Sequence, residues 1–126
     1  MTQQHPAETE TECTDGGWSR LLASRVEDFA RLNPIAAGRV SPHRTFDGEH
    51  YRIRNLALGE GAVLARHVAP APLIVTVLEG RVEFALPEIA HELAAGAVLC
   101  VDADVPHEVT ALEPSRLLLT LVVSTA

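Results

Sequence analysis

The feature that most constrains this chain is a change in the spacing of its apolar residues at Pro34. Before Pro34, apolar residues recur mainly at the spacing of an α-helix. Beyond Arg39 they alternate with polar residues almost to the end of the chain, as in the stretch GRVEFAL. Such alternation is typical of β-strands that bury one face. We therefore expect a mainly β domain that follows one helix.

Turn residues divide the alternating region into short strands. Asp47-Gly48 lies between the runs RVSPHRTF and HYRIRNLAL, and this dipeptide is a strong hairpin signal. Gly96 and the segment from Asp104 to Pro106 interrupt the later runs, and SRLLLTLVVS closes the region as an apolar strand. Short strands at near-even spacing predict an all-β sandwich or barrel. A chain of 126 residues fits a single domain of this kind.

The N-terminal part of the chain is predicted to hold an acidic tail and then the helix. Residues 1–17 are polar and acidic and end in Gly-Gly, so we expect them to be disordered. A helix is expected over 18–32, ending at Asn33-Pro34 because the residue before proline avoids the α conformation. The folded domain is then 18–126, with its barrel at about 39–123. The apolar positions of the helix are Trp18, Leu21, Leu22, Val26, Phe29 and Leu32.

Charge and composition exclude several classes of partner. The formal net charge is −7, and the basic residues are all arginines scattered along the chain, so a nucleic-acid partner is not expected. No apolar run reaches the length of about 18 residues that would cross a membrane, so a membrane partner is not expected either. The stretch MTQQHPAETETECTDGG has neither the basic nor the apolar region of a secretory signal. We expect a cytoplasmic protein.

The two cysteines do not suggest a disulfide. Cys13 lies in the tail, and Cys100 lies in an apolar strand that leads toward His107. A bridge between them would tie a flexible tail to the core. We expect Cys13 to be exposed and Cys100 to be buried, with the Cys100 side chain lining the interior cavity as one possibility.

Two spaced motifs in the β region resemble those of the cupin superfamily. The first cupin motif runs Gly, five residues, His-x-His, three or four residues, Glu, six residues, Gly. Its places are taken here by Gly61, His67, Ala69, Leu73 and Gly80. The second runs Gly, five residues, Pro-x-Gly, two residues, His, three residues, Asn. Its places are taken here by Gly96, Asp102, Asp104, His107 and Ala111.

The resemblance implies an all-β fold, a cupin jelly-roll (double-stranded β-helix) barrel with one short N-terminal α-helix. It also implies where a metal would lie, because in metal-binding cupins the residues at the places of His67, Ala69, Leu73 and His107 hold one divalent ion. Ala69 and Leu73 cannot ligate, and transition-metal sites usually need at least three protein ligands. The expected metal site is therefore degenerate or absent.

The expected ligand pocket is mostly apolar. If His67 points inward, strand alternation places Ala65 and Ala69 inward too, and an inward His107 places Val109 inward. Arg52 and Arg54 are expected on the solvated outer face, although an inward arginine would select an anionic ligand. Asp102 and Asp104 are expected to be solvated turn residues, with Asp104 tolerating a left-handed backbone. The cupin resemblance implies that Leu73 and Val75 face inward as well. The predicted pocket then comprises His67, Ala69, Leu73, Val75, Cys100, His107 and Val109.

Three interpretations of His67 and His107 stay open at this point. They are a pocket pair that contacts a ligand, histidines without function, or two ligands of an unconventional metal site. The third interpretation needs a further ligand, for which the candidates are His43, His50 and His91. The metal, if there is one, would then be a divalent transition metal: Fe, Mn, Ni or Zn.

Two functions of different classes follow. The first is a binding protein that encloses a small, partly apolar molecule, with no metal or a weakly bound one. The alternative is a metal-dependent cupin enzyme, either a dioxygenase or one resembling an isomerase or epimerase, that uses His67, His107 and a recruited third ligand. A barrel that serves mainly for dimerisation or sensing is a further possibility. The amphipathic helix and the apolar last strand lead us to expect a homodimer.

Overall fold

The computed structural model describes residues 9–12 and 18–123, which form short strands and one helix. The elements in chain order are β1 (Thr9–Glu12), β2 (Trp18–Leu21), α1 (Val26–Leu32), β3 (Val40–Asp47), β4 (Tyr51–Leu58), β5 (Val63–His67), β6 (Leu73–Glu79), β7 (Arg81–Ala85), β8 (Ala90–Ala94), β9 (Val98–Val101), β10 (His107–Ala111) and β11 (Ser115–Val122). The all-β class expected from the alternating pattern is confirmed.

Two antiparallel sheets make up the body of the domain. Five strands form one sheet in the order β3-β4-β11-β6-β9, and four strands form the other in the order β5-β10-β7-β8. The apolar side chains of the two inner faces form the core, with fully buried members from both sheets such as Val75, Leu117, Val82 and Val109. The core is therefore the space between the sheets, where alternate residues of each strand meet.

The inner face of the five-stranded sheet can be read from its register. Leu117 of β11 lies opposite Leu56 of β4 and opposite Val77 of β6, and all three are buried in the core. Because directly paired residues share a face of the sheet, the alternate residues of β11 from Leu117 onward also face inward. Those residues are Leu119 and Leu121.

The predicted N-terminal helix is wrong in its first half. Residues Trp18–Leu21 form a strand that pairs with β1, so part of the expected disordered tail, Thr9–Glu12, lies in a strand as well. The helix covers only Val26–Leu32. Its start is stabilised by Ser24, whose backbone N–H and hydroxyl both donate to Asp28 Oδ2, at 3.0 and 2.9 Å. Residues 1–8 and 13–17, which include Cys13, lie outside the described residues.

The end of the helix is where the sequence places it. Asn33, the residue before Pro34, has φ −151° and ψ 81°, which is outside the helical region. This helix has 7 residues, and within the described ranges no helix has the length and apolar character needed to cross a membrane.

A buried polar network fixes the helix to the outer face of the five-stranded sheet. Arg116 is 1% exposed, and its Nη1 donates to Asn33 O at 2.7 Å and to Asn55 Oδ1 at 2.8 Å, while its Nε donates to Glu79 Oε2 at 2.8 Å. Asn55 Nδ2 donates to Phe29 O at 2.9 Å. The network thereby satisfies carbonyl groups at the C-terminal end of the helix with a cationic donor.

Candidate functional site

A small cavity lies between the two sheets at the end of the domain where β5 stops and β10 starts. Its volume is about 80 Å³, below the roughly 300–1,000 Å³ that encloses a whole drug-sized ligand, but enough for several water-sized groups. Its lining is apolar except for two imidazoles: Leu56, Leu64, His67, Ala69, Leu73, Phe84, His107, Val109, Leu117, Leu119 and Leu121.

The two histidines come from neighbouring strands. His67 ends β5, His107 begins β10, and the two residues are direct partners in the register. Their ring centroids are 4.4 Å apart in an edge-to-face arrangement. Phe84 stacks on the other side of His107, with a centroid distance of 5.3 Å and an interplanar angle of 18°. Packing between His67 and Phe84 holds the His107 ring in one orientation.

A β-bulge turns His67 toward the cavity. The pairing of β10 with β5 shifts between His107 and Val109, because His107 lies opposite His67 while Val109 lies opposite Leu64. The extra residue on β5 reverses the alternation, so both Leu64 and His67 line the cavity. Ala65 is exposed instead. The expectation that Ala65 shares the face of His67 is therefore wrong, since uninterrupted alternation does not allow for a bulge.

Each imidazole is held by the backbone carbonyl two residues before it in the chain. His67 Nδ1 lies 3.0 Å from Ala65 O, and His107 Nδ1 lies 3.0 Å from Val105 O. A carbonyl oxygen only accepts hydrogen bonds, so Nδ1 is the protonated nitrogen in both rings. In the neutral rings, Nε2 then carries the lone pair and accepts hydrogen bonds.

The two histidines differ in burial. His107 is 4% exposed, whereas His67 lies in the exposed class at the mouth of the cavity. Burial lowers the pKa of His107 below its ordinary value; the hydrogen bond to Val105 opposes this, and the nearby His67 adds to it. Burial therefore favours the neutral form of the His107 imidazole.

Solved structures of similar shape identify the fold. A cupin superfamily protein from Desulfitobacterium hafniense matches with a TM-score of 0.70 and 15% identity, over 75% of this chain and 87% of that one. This chain has the cupin fold. An RmlC-like cupin from Desulfovibrio desulfuricans matches with a TM-score of 0.64 and 25% identity, over 72% and 92% of the two chains. A conserved protein of unknown function from Streptococcus pyogenes matches with a TM-score of 0.72 and 24% identity, over 84% and 93%.

These structural matches confirm the cupin resemblance seen in the two sequence motifs. No protein-family model and no curated protein matches the sequence.

Most of the predicted pocket residues meet in the cavity of this cupin fold. The structure places His67, Ala69, Leu73, His107 and Val109 in its lining. Val75 is fully buried in the core but does not line the cavity.

Cys100 does not lie in the cavity. It is directly opposite Ile74 in the register, on the outer face of the five-stranded sheet, and its side chain is exposed. Both the expected burial of Cys100 and its possible place in the pocket are wrong. The apolar composition of β9 suggested burial, but the next residue, Val101, is the one that faces the core.

Among the described residues, no third ligand joins His67 and His107. His43 pairs with Asn55 on the outer face, and its Nδ1 lies 3.0 Å from Thr45 Oγ1. His50 is exposed, and its Nε2 lies 3.7 Å from Glu49 Oε1. His91 of β8 is the direct partner of Phe84 of β7, and the Phe84 ring that stacks on His107 lies between the two histidines. Among the residues that the structure describes, no group of three potential ligands is close enough to hold a metal ion.

Sequence reasoning placed two arginines on the wrong face. Arg54 lies opposite Leu119 and Arg52 opposite Leu121, and both leucines line the cavity. Arg52 and Arg54 therefore share the inner face of the five-stranded sheet. Because Leu56 is buried, alternation counted back from it already predicts that Arg54 and Arg52 face inward. The apolar Ile53 between the arginines suggested instead that Ile53 faces inward and the arginines face solvent.

Proposed function

We propose that this cupin binds a small, partly apolar molecule at the mouth of its barrel, with His67 and His107 contacting a polar group of that molecule. The observation that carries the proposal is the pairing of these two imidazoles in an otherwise apolar cavity. Ligand sites in proteins have this composition, with an apolar lining and a few convergent polar groups.

The histidines define the polar group that fits best. Each Nδ1 is engaged by the backbone carbonyl two residues earlier in the chain, so Nε2 is the nitrogen available to a ligand. A neutral imidazole in this tautomer accepts a hydrogen bond at Nε2. The proposed ligand therefore presents a donor such as a hydroxyl group to the pair and an apolar group to the leucines.

The size of the cavity limits the apolar group. A volume of about 80 Å³ holds a short chain or part of a ring but not a whole drug-sized molecule. His67 is exposed at the mouth, so the rest of the ligand extends past it into the opening between the sheets.

The alternative function, a metal-dependent enzyme, has less support. The hydrogen bond from Nδ1 to a carbonyl is typical of metal-ligating histidines, and both residues have it. However, two imidazoles fall short of the three protein ligands that such sites usually require. A dioxygenase or isomerase reaction would need a third ligand that His43, His50 and His91 do not provide from their observed positions.

A binding experiment tests the proposal. Wild-type protein is titrated with 1-hexanol, cyclohexanol and benzyl alcohol and observed by ligand NMR. The matched variants are Ala69→Leu, which narrows the cavity, and Glu88→Gln, an exposed residue outside it. We expect saturable binding that Ala69→Leu weakens about tenfold or more and Glu88→Gln leaves unchanged. Equal binding by all three proteins, or no binding by wild type, would contradict the proposal.

The partner and location expected from the sequence stay predictions. Light scattering in solution tests the homodimer, and a monomer of 13.6 kDa would contradict it. Fractionation of cells that express the protein tests the cytoplasmic location.

A further inference from the structure

The inner face of the barrel carries positive charge beside the cavity. Along β4, Arg52 and Arg54 continue the row of inward-facing residues that begins with Leu58 and Leu56. Their direct neighbours on β11, Leu121 and Leu119, line the cavity itself. The arginine backbones are thus one strand away from the cavity wall, about 5 Å, and their side chains are long enough to reach a molecule in its mouth.

Strand β3 adds two more charged residues to this group. Arg44 lies opposite Arg54 and Asp47 lies opposite Arg52, with a register shift at Thr45 that brings both onto the same face. Asp47 accepts a hydrogen bond from Arg54 Nη1 at 2.8 Å and lies 3.6 Å from Arg44 Nε. We name Arg44, Asp47, Arg52 and Arg54 the mouth cluster. It contains three cations and one carboxylate, so it has an uncompensated positive charge.

The mouth cluster keeps donors available for a ligand. Arg54 makes its hydrogen bonds to Asp47, Phe46 O and Ile53 O through Nη1 alone. Its side chain is 24% exposed, and within the described part of the chain its Nε and Nη2 make no hydrogen bond. Arg52 is exposed and forms no ion pair with any residue in the described ranges. A guanidinium group with free N–H donors binds carboxylates through two parallel hydrogen bonds.

We infer that the ligand of this cupin is an organic acid whose carboxylate binds Arg52 and Arg54 while its short apolar part enters the cavity. This inference rests on the proposed function and adds the chemical class of the ligand. His67 and His107 offer hydrogen-bond acceptors on one sheet, and Arg52 and Arg54 carry cationic donors on the inner face of the other sheet, beside the cavity lining. A molecule that bears both a hydroxyl and a carboxylate next to a short chain satisfies both walls.

Matched pairs of probes separate the anion from the apolar chain. Isothermal titration compares butanoate with 1-butanol, hexanoate with 1-hexanol, and octanoate with 1-octanol, using inorganic phosphate as an anion without a chain. The alcohols report on the proposed function alone, because they carry a chain and a hydroxyl but no charge. We expect at least one carboxylate to bind about tenfold more tightly than its alcohol, and added salt to weaken only the carboxylate.

Charge-matched variants test the role of the two arginines. Arg52→Gln/Arg54→Gln removes two cations from the mouth cluster, and Arg25→Gln/Arg39→Gln removes two exposed cations elsewhere. The single variant Arg52→Gln is also measured, because Arg52 is exposed and makes no ion pair with the described residues, so its replacement breaks none of their ion pairs. We expect the mouth variants to lose the preference for carboxylate and keep alcohol binding, while the control double variant behaves like wild type.

The possible failures are distinguishable. If no carboxylate binds more tightly than its alcohol, or if the preference survives in both mouth variants, the inference about the anion is overturned, whereas alcohol binding in the same experiment still supports the proposed function. If phosphate binds as tightly as hexanoate and Ala69→Leu weakens neither, the positive charge binds anions without the cavity and the inference is overturned. If, in addition, no alcohol binds to wild type, the proposed function is overturned as well.

Discussion

His107 lies directly opposite His67, with 4.4 Å between the two ring centroids, and only His67 reaches the surface. This arrangement makes the buried ring sensitive to protonation. A protonated His107 ring is shielded from water and lies close to the second imidazole. Both effects lower the pKa of His107, and burial is the larger one.

The free energy of unfolding is expected to decrease when the pH is lowered through the titration range of His107. The pKa of His107 is lower in the folded protein than in the unfolded chain, so the unfolded chain binds more protons between the two values. The stabilisation is complete above the ordinary imidazole pKa and is lost as pH falls from there toward the folded value. We predict that the melting temperature of wild type drops more steeply over this range than that of His107→Asn, which keeps a donor for Val105 O. Parallel curves would contradict the prediction.

Arg116 is expected to be essential for stability. Replacing it with Met leaves Asn33 O and Asn55 Oδ1 buried without their donor and leaves Glu79 unpaired. Breaking a buried charged network in this way costs about 3 kcal/mol or more of unfolding free energy. The control is Arg81→Met, because Arg81 also contacts two acidic residues, Glu92 and Glu113, but at the surface. Denaturation in urea should show a much smaller decrease in unfolding free energy for Arg81→Met than for Arg116→Met. Equal decreases would contradict the claim that burial makes the Arg116 network important.

Gly80 is expected to tolerate alanine worse than Gly61. Both have positive φ, 84° and 79°, so a side chain at either position strains the backbone by about 1–2 kcal/mol. A Cβ at Gly80 would also lie 2.2 Å from Pro114 O, whereas a Cβ at Gly61 meets nothing within 4 Å. We predict that Gly80→Ala lowers the unfolding free energy by about 3 kcal/mol and Gly61→Ala by about 1 kcal/mol. Similar values in chemical denaturation would contradict the close approach at Gly80.

Metal content is expected to be low. Protein prepared without chelator and then exposed to Fe, Mn, Ni or Zn is analysed for bound metal, in wild type and in His67→Ala/His107→Ala. Two imidazoles bind such ions weakly, so we predict no stoichiometric metal in either protein after dialysis. One metal per chain in wild type that is lost in the double variant would restore the enzyme alternative.

The fold was predictable because its signals are local. Alternation along β7 and the hairpin dipeptide Asp47-Gly48 indicate strands and turns without any knowledge of the partner strands. The motif residues Gly61, Gly80 and Gly96 all have positive φ, which explains why glycine stands at those places. Asp104, at the place of a motif glycine, has φ 66°, the left-handed conformation that was expected for it.

The errors arise where pairing decides the outcome. The bulge that turns His67 inward and exposes Ala65 is a property of two strands together, so one strand's sequence does not reveal it. Trp18–Leu21 has helical spacing but pairs with β1, because strand pairing overrides so short a periodic signal. The polar contacts of Arg116 were also missed, since they join residues far apart in sequence. Arg116 stands alone in an apolar strand, and that contrast was the available signal.

The most direct test of the account is an NMR measurement of the imidazole nitrogens of His67 and His107. Long-range ¹H–¹⁵N spectra at neutral pH identify which nitrogen of each ring is protonated, with His67→Ala and His107→Asn for assignment. We predict the Nδ1–H tautomer for both rings and a shift of their Nε2 signals on addition of 1-hexanol. Protonation at Nε2 would contradict the assigned tautomer and the hydrogen-bond donor proposed for the ligand. Nε2 signals that do not respond to any of the alcohols or carboxylates would contradict the claim that these histidines contact a ligand.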